Sequence, residues 1–171
     1  MAPCIDAAAF ARDEAAGARL RREWNVGQRP VLLAAAMFRD DVKTRGLEYL
    51  LTRLGRLERD FELVLAGDGE TRPRLEQLAR DHLPGRVRFL GRVERLALRE
   101  VYSAADVFVF PGIRESLGMV YLEAQAAGLP VAAFDNGGIP EVVARDETGF
   151  LTPPFDDAAF LAAVARPLDD A

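Results

Sequence analysis

The stretch PGIRESLGMVYLEAQAAGLPV, from Pro111 to Val131, sets two carboxylates, Glu115 and Glu123, eight positions apart in an otherwise largely apolar run. The apolar DVFVFP before it reads as a strand, and a helix is expected to start close to Leu117. The first amides of a helix have no internal partners and carry the positive end of its dipole. Those of Leu117, Gly118, Met119 and Val120 would therefore suit an anion, above all phosphate or pyrophosphate. Gly118 would let an anionic ligand approach the backbone. Ser116 could cap the helix or donate to that ligand. Glu123, about two turns in, could accept from vicinal hydroxyls such as those of a ribose, and Glu115 could face a sugar at the other end of a pyrophosphate. Spacing alone leaves this reading level with that of two exposed surface carboxylates.

A second group of charges could serve the same anion. FRDDVKTRG supplies Arg39, Lys43 and Arg45 within seven residues. The chain has 21 arginines and a single lysine, Lys43. A lysine kept among so many arginines fits a position where shape matters; a chance residue in a polar loop, balanced by Asp40 and Asp41, is the alternative. GDGE, from Gly67, lacks the third glycine of a dinucleotide loop and reads better as a tight turn admitting a ligand. Gly137 and Gly138 of NGGIPE either let a sugar come close or simply build a turn.

These residues must be positioned by a scaffold. Apolar strands are expected near 30–36, 60–67, 86–91, 106–111, 130–135 and 149–154. Helical patterns follow at 47–57, 71–83, 94–105, from Leu117, from Gly137 and over 156–166, and another precedes the first strand at 13–24. RDDVKTRG is expected to be a polar loop, and Thr71 the N-cap of its helix, with Pro73 in the first turn. Six strands, each followed by a helix, imply βαβ units and a mostly parallel sheet covered on both faces, a Rossmann-like three-layer α/β/α fold. Ligands of such sheets bind at the carboxyl ends of the strands, where all the residues above lie.

The remaining composition excludes several classes. The formal charge of −5 argues against a nucleic-acid protein. One cysteine, Cys4, and one histidine, His82, make neither a disulfide framework nor an ordinary zinc site, so no metal is expected and a reducing, cytoplasmic setting is. No apolar run reaches the ~18 residues of a membrane span. The absence of GxGxxG, and of an acidic residue after the second strand, speaks against a nicotinamide-dependent oxidoreductase. A non-catalytic nucleotide-binding or structural module remains the alternative to an enzyme.

The run ADVFVFPGIRESLGMVYLEAQAAGLPVAAFDNGGIPEVVARDETGFLTPP resembles the donor-binding domain of the retaining glycosyltransferases of family 4 (group 1). It has their Glu-x7-Glu motif, a Gly-x-Pro-Val helix end, Gly-Gly-x-Pro-Glu and a Thr-Gly turn. VLAGDGE, VRFLGRV and the Asp-x-x-x-Phe of CIDAAAF fit weaker segments of that family, so the similarity spans nearly the whole chain. The resemblance implies residues 1–171 as a single domain, the C-terminal half of a GT-B fold, in a fragment lacking the acceptor-binding domain. It implies a nucleotide-diphosphate sugar as donor, no cofactor, transfer with retention, and any membrane contact only through the missing half. By resemblance, Glu123 holds the ribose, Glu115 the donor sugar, and the amides of 117–120 the pyrophosphate or sugar. Arg39 and either Lys43 or Arg45 supply the basic pair, and Arg92 and Val93 lie beside the base. Phe38 replaces the usual glycine before the arginine, and Leu117 the usual aromatic residue before Gly118. The isolated domain is expected to bind donor without transferring sugar.

Overall fold

The computed structural model describes residues 4–116 and 118–170. Strands β1 (Val31–Ala35), β2 (Glu62–Ala66), β3 (Val87–Gly91), β4 (Val107–Val109), β5 (Val131–Phe134) and β6 (Gly149–Thr152) form one sheet. Its order is β3-β2-β1-β4-β5-β6, and every neighbouring pair is parallel. The connecting helices are α2 (Val42–Leu54), α3 (Arg72–His82), α4 (Leu98–Ala104), α5 (Met119–Ala126) and α6 (Ile139–Val142). Helix α1 (Glu14–Glu23) and a 3-10 turn (Ala7–Phe10) precede the sheet, and α7 (Asp157–Asp169) follows it.

β1 and β2 read VLLAA and ELVLA and are buried along their whole length. Continuous apolar strands need cover on both faces, which crossover helices supply. The chain winds from β1 to one edge of the sheet, returns to place β4 against the free side of β1, and then winds to the other edge. The exits of β1 and β4 therefore diverge, and the crevice between them is where such sheets take ligands. On the face that α7 covers, Tyr49, Phe134 and Phe160 pack edge to face, with ring centroids 5.1 to 5.6 Å apart.

The structure corrects two local expectations. α2 begins at Val42, so most of RDDVKTRG is helical, and Lys43 and Arg45 sit in its first turns. The cause is Asp41, whose carboxylate accepts from the Lys43 amide at 2.7 Å and caps the helix. Gly46 offers no barrier to this, because it packs against the Phe110 ring, where a side chain would be crowded. Thr71 does stand at the N-cap of α3, with Pro73 in the first turn, but its side chain makes no capping bond. Its hydroxyl instead lies 2.6 Å from that of buried Thr44, tying α3 to α2.

Candidate functional site

Lys43 and Glu115 meet across the crevice between β1 and β4, where the lysine ammonium donates to a carboxylate oxygen of the buried glutamate. The ammonium also lies 5.9 Å from the Phe110 ring centroid. The Tyr121 hydroxyl donates to the Phe110 carbonyl at 3.0 Å. Burial, and secondarily the charge of Glu115, push the Tyr121 phenol well above its usual range, so it stays a donor.

The backbone around Glu115 is held by the loop after β5. The Gly138 amide donates to the Glu115 carbonyl at 2.9 Å. A Cβ at Gly137 would fall 2.2 Å from that carbonyl oxygen, and one at Gly138 would fall 2.5 Å from the carbonyl oxygen of Ser116. The two glycines therefore serve close packing of one loop on the other. Asn136 completes the clasp: its amide donates to Gly112 O at 3.1 Å, and its side-chain oxygen accepts from the Arg114 amide at 3.2 Å.

Gly118 precedes α5 in the left-handed region, with φ 60°, and no side chain among the described residues caps the helix. Ser116 is exposed and makes no such cap. Met119 and Val120 open the helix, whereas Leu117 lies outside the described residues.

A cavity of about 440 Å³ opens at the carboxyl ends of β1, β2 and β3. Lys43, Gly67, Arg92, Val93 and Val120 line it together with Met37, Asp68 and Leu98. Segments distant in sequence thus converge on one space, next to the start of α5. Arg39 is exposed and does not line this cavity; a guanidinium nitrogen lies 3.2 Å from the sulfur of Met37, which does. Arg45 is directed elsewhere and lines a separate groove with Asp40, Glu48 and Arg74. Phe38, standing before Arg39, is a core residue packed edge to face on Phe89 at 6.3 Å.

Glu123 lies one helical turn beyond Val120 and is 3% exposed. Each of its oxygens accepts one hydrogen bond. The Tyr102 hydroxyl donates to one at 3.0 Å and Arg95 Nε to the other at 2.9 Å. Burial, and then the neighbouring Glu123 charge, raise the Tyr102 phenol well above its usual range, which keeps it protonated. The Arg95 guanidinium also lies over the Phe10 ring, 5.5 Å from its centroid. Sequence reasoning missed Arg95, Tyr102 and Asn136. Tyr102 carried a signal, since its position four residues after Leu98 puts both on one helix face. Arg95 in a polar run carried none. Among the described residues, no three His, Cys, Asp or Glu side chains converge as a metal cluster, and no helix is long and apolar enough to cross a membrane.

Comparison with known proteins gives this geometry a family. The chain is 36% identical over 160 residues to a GDP-mannose-dependent α-(1-6)-phosphatidylinositol monomannoside mannosyltransferase of Mycobacterium tuberculosis, covering 87% of this chain and 41% of that protein. It superposes on sucrose-phosphate synthase of Thermosynechococcus elongatus with a TM-score of 0.85 and 31% identity, over 99% of this chain and 42% of the other. It superposes on Anabaena HepE, solved with UDP-glucose, with a TM-score of 0.85 and 25% identity, over 97% of this chain and 46% of that one. The chain thus spans less than half the length of these relatives. Its architecture is that of one half of the GT-B glycosyltransferases. Residues 29–170 match the profile "Glycosyl transferases group 1", and the chain belongs to that family.

Proposed function

We propose that this chain is the donor-binding domain of a retaining glycosyltransferase that takes its sugar from a nucleotide-diphosphate sugar. The observation that carries the reading is the convergence of Lys43, Arg92, Val93 and Val120 on one cavity beside the α5 N-terminus, with Lys43 paired to Glu115 and Glu123 buried one helical turn beyond Val120. A nucleoside fits the apolar part near Val93 and Leu98. The diphosphate fits the amides of Met119 and Val120 together with the ammonium of Lys43. Glu123 receives the ribose hydroxyls and Glu115 the donor sugar. The similarity to a GDP-mannose-dependent enzyme, and to a protein solved with UDP-glucose, supports a nucleotide sugar as ligand.

In the transfer step the bond from the sugar C1 to the diphosphate oxygen breaks. The acceptor oxygen bonds to C1 on the same face, and its proton passes to the departing diphosphate. Negative charge grows on that diphosphate. Lys43 and the helix amides are held in place and, together with the exposed Arg39, would stabilise it, with no metal assigned to the task.

The acceptor side of the cleft belongs to a further domain, in keeping with the short span of the relatives covered here. Met37, Leu96 and Phe155, the large exposed apolar side chains among the described residues, all lie in loops after strands β1, β3 and β6, where such a domain would sit. The chain alone would bind donor without transferring sugar. The single exposed Cys4 fits a cytoplasmic enzyme. Titration calorimetry of the chain with UDP, GDP, ADP and their sugars tests the reading. Saturable heat with one of them supports it, and no heat with any would mark a purely structural domain.

A further inference from the structure

Glu123 is the residue to which the proposed function gives the ribose, yet in the structure it has no free face toward the cavity. It is 3% exposed, does not line the cavity, and already accepts from Tyr102 and Arg95. A vicinal diol needs carboxylate lone pairs that point toward it. Each oxygen keeps a second lone pair, but at 3% exposure the carboxylate is covered, so a diol reaches it only if a neighbouring side chain moves aside.

The two donors differ in freedom. Tyr102 is fully buried on α4 and is wedged between Phe10 and Phe108, with ring centroids 6.2 and 6.0 Å away. Removing its hydroxyl from Glu123 would leave a buried donor without a partner. Arg95 stands in the segment between β3 and α4, and its side chain is 58% exposed. Its guanidinium can turn from the Phe10 ring and Glu123 into water and remain solvated. It stands two residues after Val93 and three before Leu98, both of which line the cavity, while Arg95 itself does not.

We infer that Arg95 is an exchangeable internal ligand of Glu123: it pairs with the ribose-binding carboxylate in the free protein and is displaced when a nucleoside diphosphate binds. Tyr102 stays in place throughout and fixes the carboxylate plane. Arg95 is thus a positioning residue that keeps the buried carboxylate paired between turnovers and sets an affinity threshold through the exchange. This inference rests on the reading of the cavity as a nucleotide site.

The test follows the Arg95 side chain directly. In 15N-labelled protein, the Nε–H signal of Arg95 is assigned by its loss in Arg95→Lys. It is expected to be protected from solvent exchange in the free chain and to lose protection in Glu123→Gln. Saturation with UDP, GDP or ADP, whichever binds, should remove the protection, whereas inorganic pyrophosphate, which has no ribose, should not. In calorimetry, Arg95→Ala should bind the nucleoside diphosphate about two- to fivefold more tightly, the scale of a partly exposed ion pair, with pyrophosphate binding unchanged. Retention of Arg95 protection in the nucleotide-saturated protein would overturn the inference while leaving the nucleotide site standing. Weaker nucleotide binding by Arg95→Ala, in a variant whose spectrum is otherwise native, would do the same. If no nucleoside diphosphate binds either form, the nucleotide reading itself fails, and this inference with it.

Discussion

Lys43 and Glu115 stand 72 positions apart in sequence and form an ion pair across the line where the sheet reverses its winding. One comes from the first turn of the helix after β1, the other from the loop after β4. Neither side chain is solvated like an isolated surface charge, so each depends on the other for its pairing. A ligand that brings a diphosphate and a sugar would take over both partners at once.

Replacing Lys43 therefore tests the proposed chemistry most sharply. In the full-length protein, Lys43→Ala should lower turnover by about 10²–10³-fold, the usual scale for removing one preorganised stabiliser of developing charge. Arg45→Ala, whose side chain lines a different groove, should leave turnover within a few-fold of the parent. Steady-state kinetics of both variants with the preferred donor decide the matter, and near-normal turnover of Lys43→Ala would count against the assignment.

Tyr102 gives a prediction about stability rather than rate. Tyr102→Phe leaves one oxygen of a buried carboxylate without its donor, which costs on the order of 1–3 kcal/mol. Urea unfolding should show that loss with an unchanged m-value. Unchanged stability would mean that the carboxylate finds a new partner.

Gly137 and Gly138 make a steric prediction. Gly137→Ala combines a left-handed backbone, φ 57°, with a Cβ 2.2 Å from Glu115 O, whereas Gly138→Ala meets Ser116 O at 2.5 Å from an ordinary φ. Each should cost ~1–3 kcal/mol by overpacking, and Gly137→Ala more because of the added backbone strain. Thermal melts order the two, and donor binding should weaken in both because the displaced backbone is that of Glu115 or of its neighbour Ser116.

The three tyrosines predict the alkaline limit of the fold. Tyr49, Tyr102 and Tyr121 all have phenols raised above the ordinary 10.0, with burial the leading cause. The unfolded chain loses these protons first, so above pH 10 it binds fewer protons than the folded chain. The stabilisation is complete below pH 10 and declines as pH rises beyond it, by about 1.4 kcal/mol per pH unit for each fully buried tyrosine. Phenolate absorbance should accordingly appear together with loss of helical circular dichroism. Tyrosine ionisation in a still-folded chain would contradict it.

Much of the fold was legible because buried parallel strands are continuous apolar runs bounded by Gly, Pro and Asp. VLLAA and FVFP announce themselves in this way. The start of α2 was not legible, because a cap by Asp41 and the packing of Gly46 on Phe110 turn a polar-looking stretch into helix. The pairing of Glu115 with Glu123 on one segment could be read from spacing and motif. Their partners could not. Arg95 lies 28 residues from Glu123 and Tyr102 lies 21, and crossover geometry rather than local pattern decides such meetings. The glycines of NGGIPE left two readings open, and contact with the Glu115–Ser116 backbone favours the packing one.

The clasp formed by Asn136 and Gly138 on the loop after β4 is made wholly of neutral hydrogen bonds. The side chains of Glu115 and Glu123 are instead answered by cations. Dissolved salt screens exposed charges strongly and buried or partly buried pairs much less, and it leaves amide–carbonyl bonds nearly untouched. Ionic strength therefore leaves both the frame and its buried carboxylate pairs standing, so a salt-sensitive step in ligand capture would report on the exposed cations, Arg39 among them, rather than on the ribbon that presents the carboxylates.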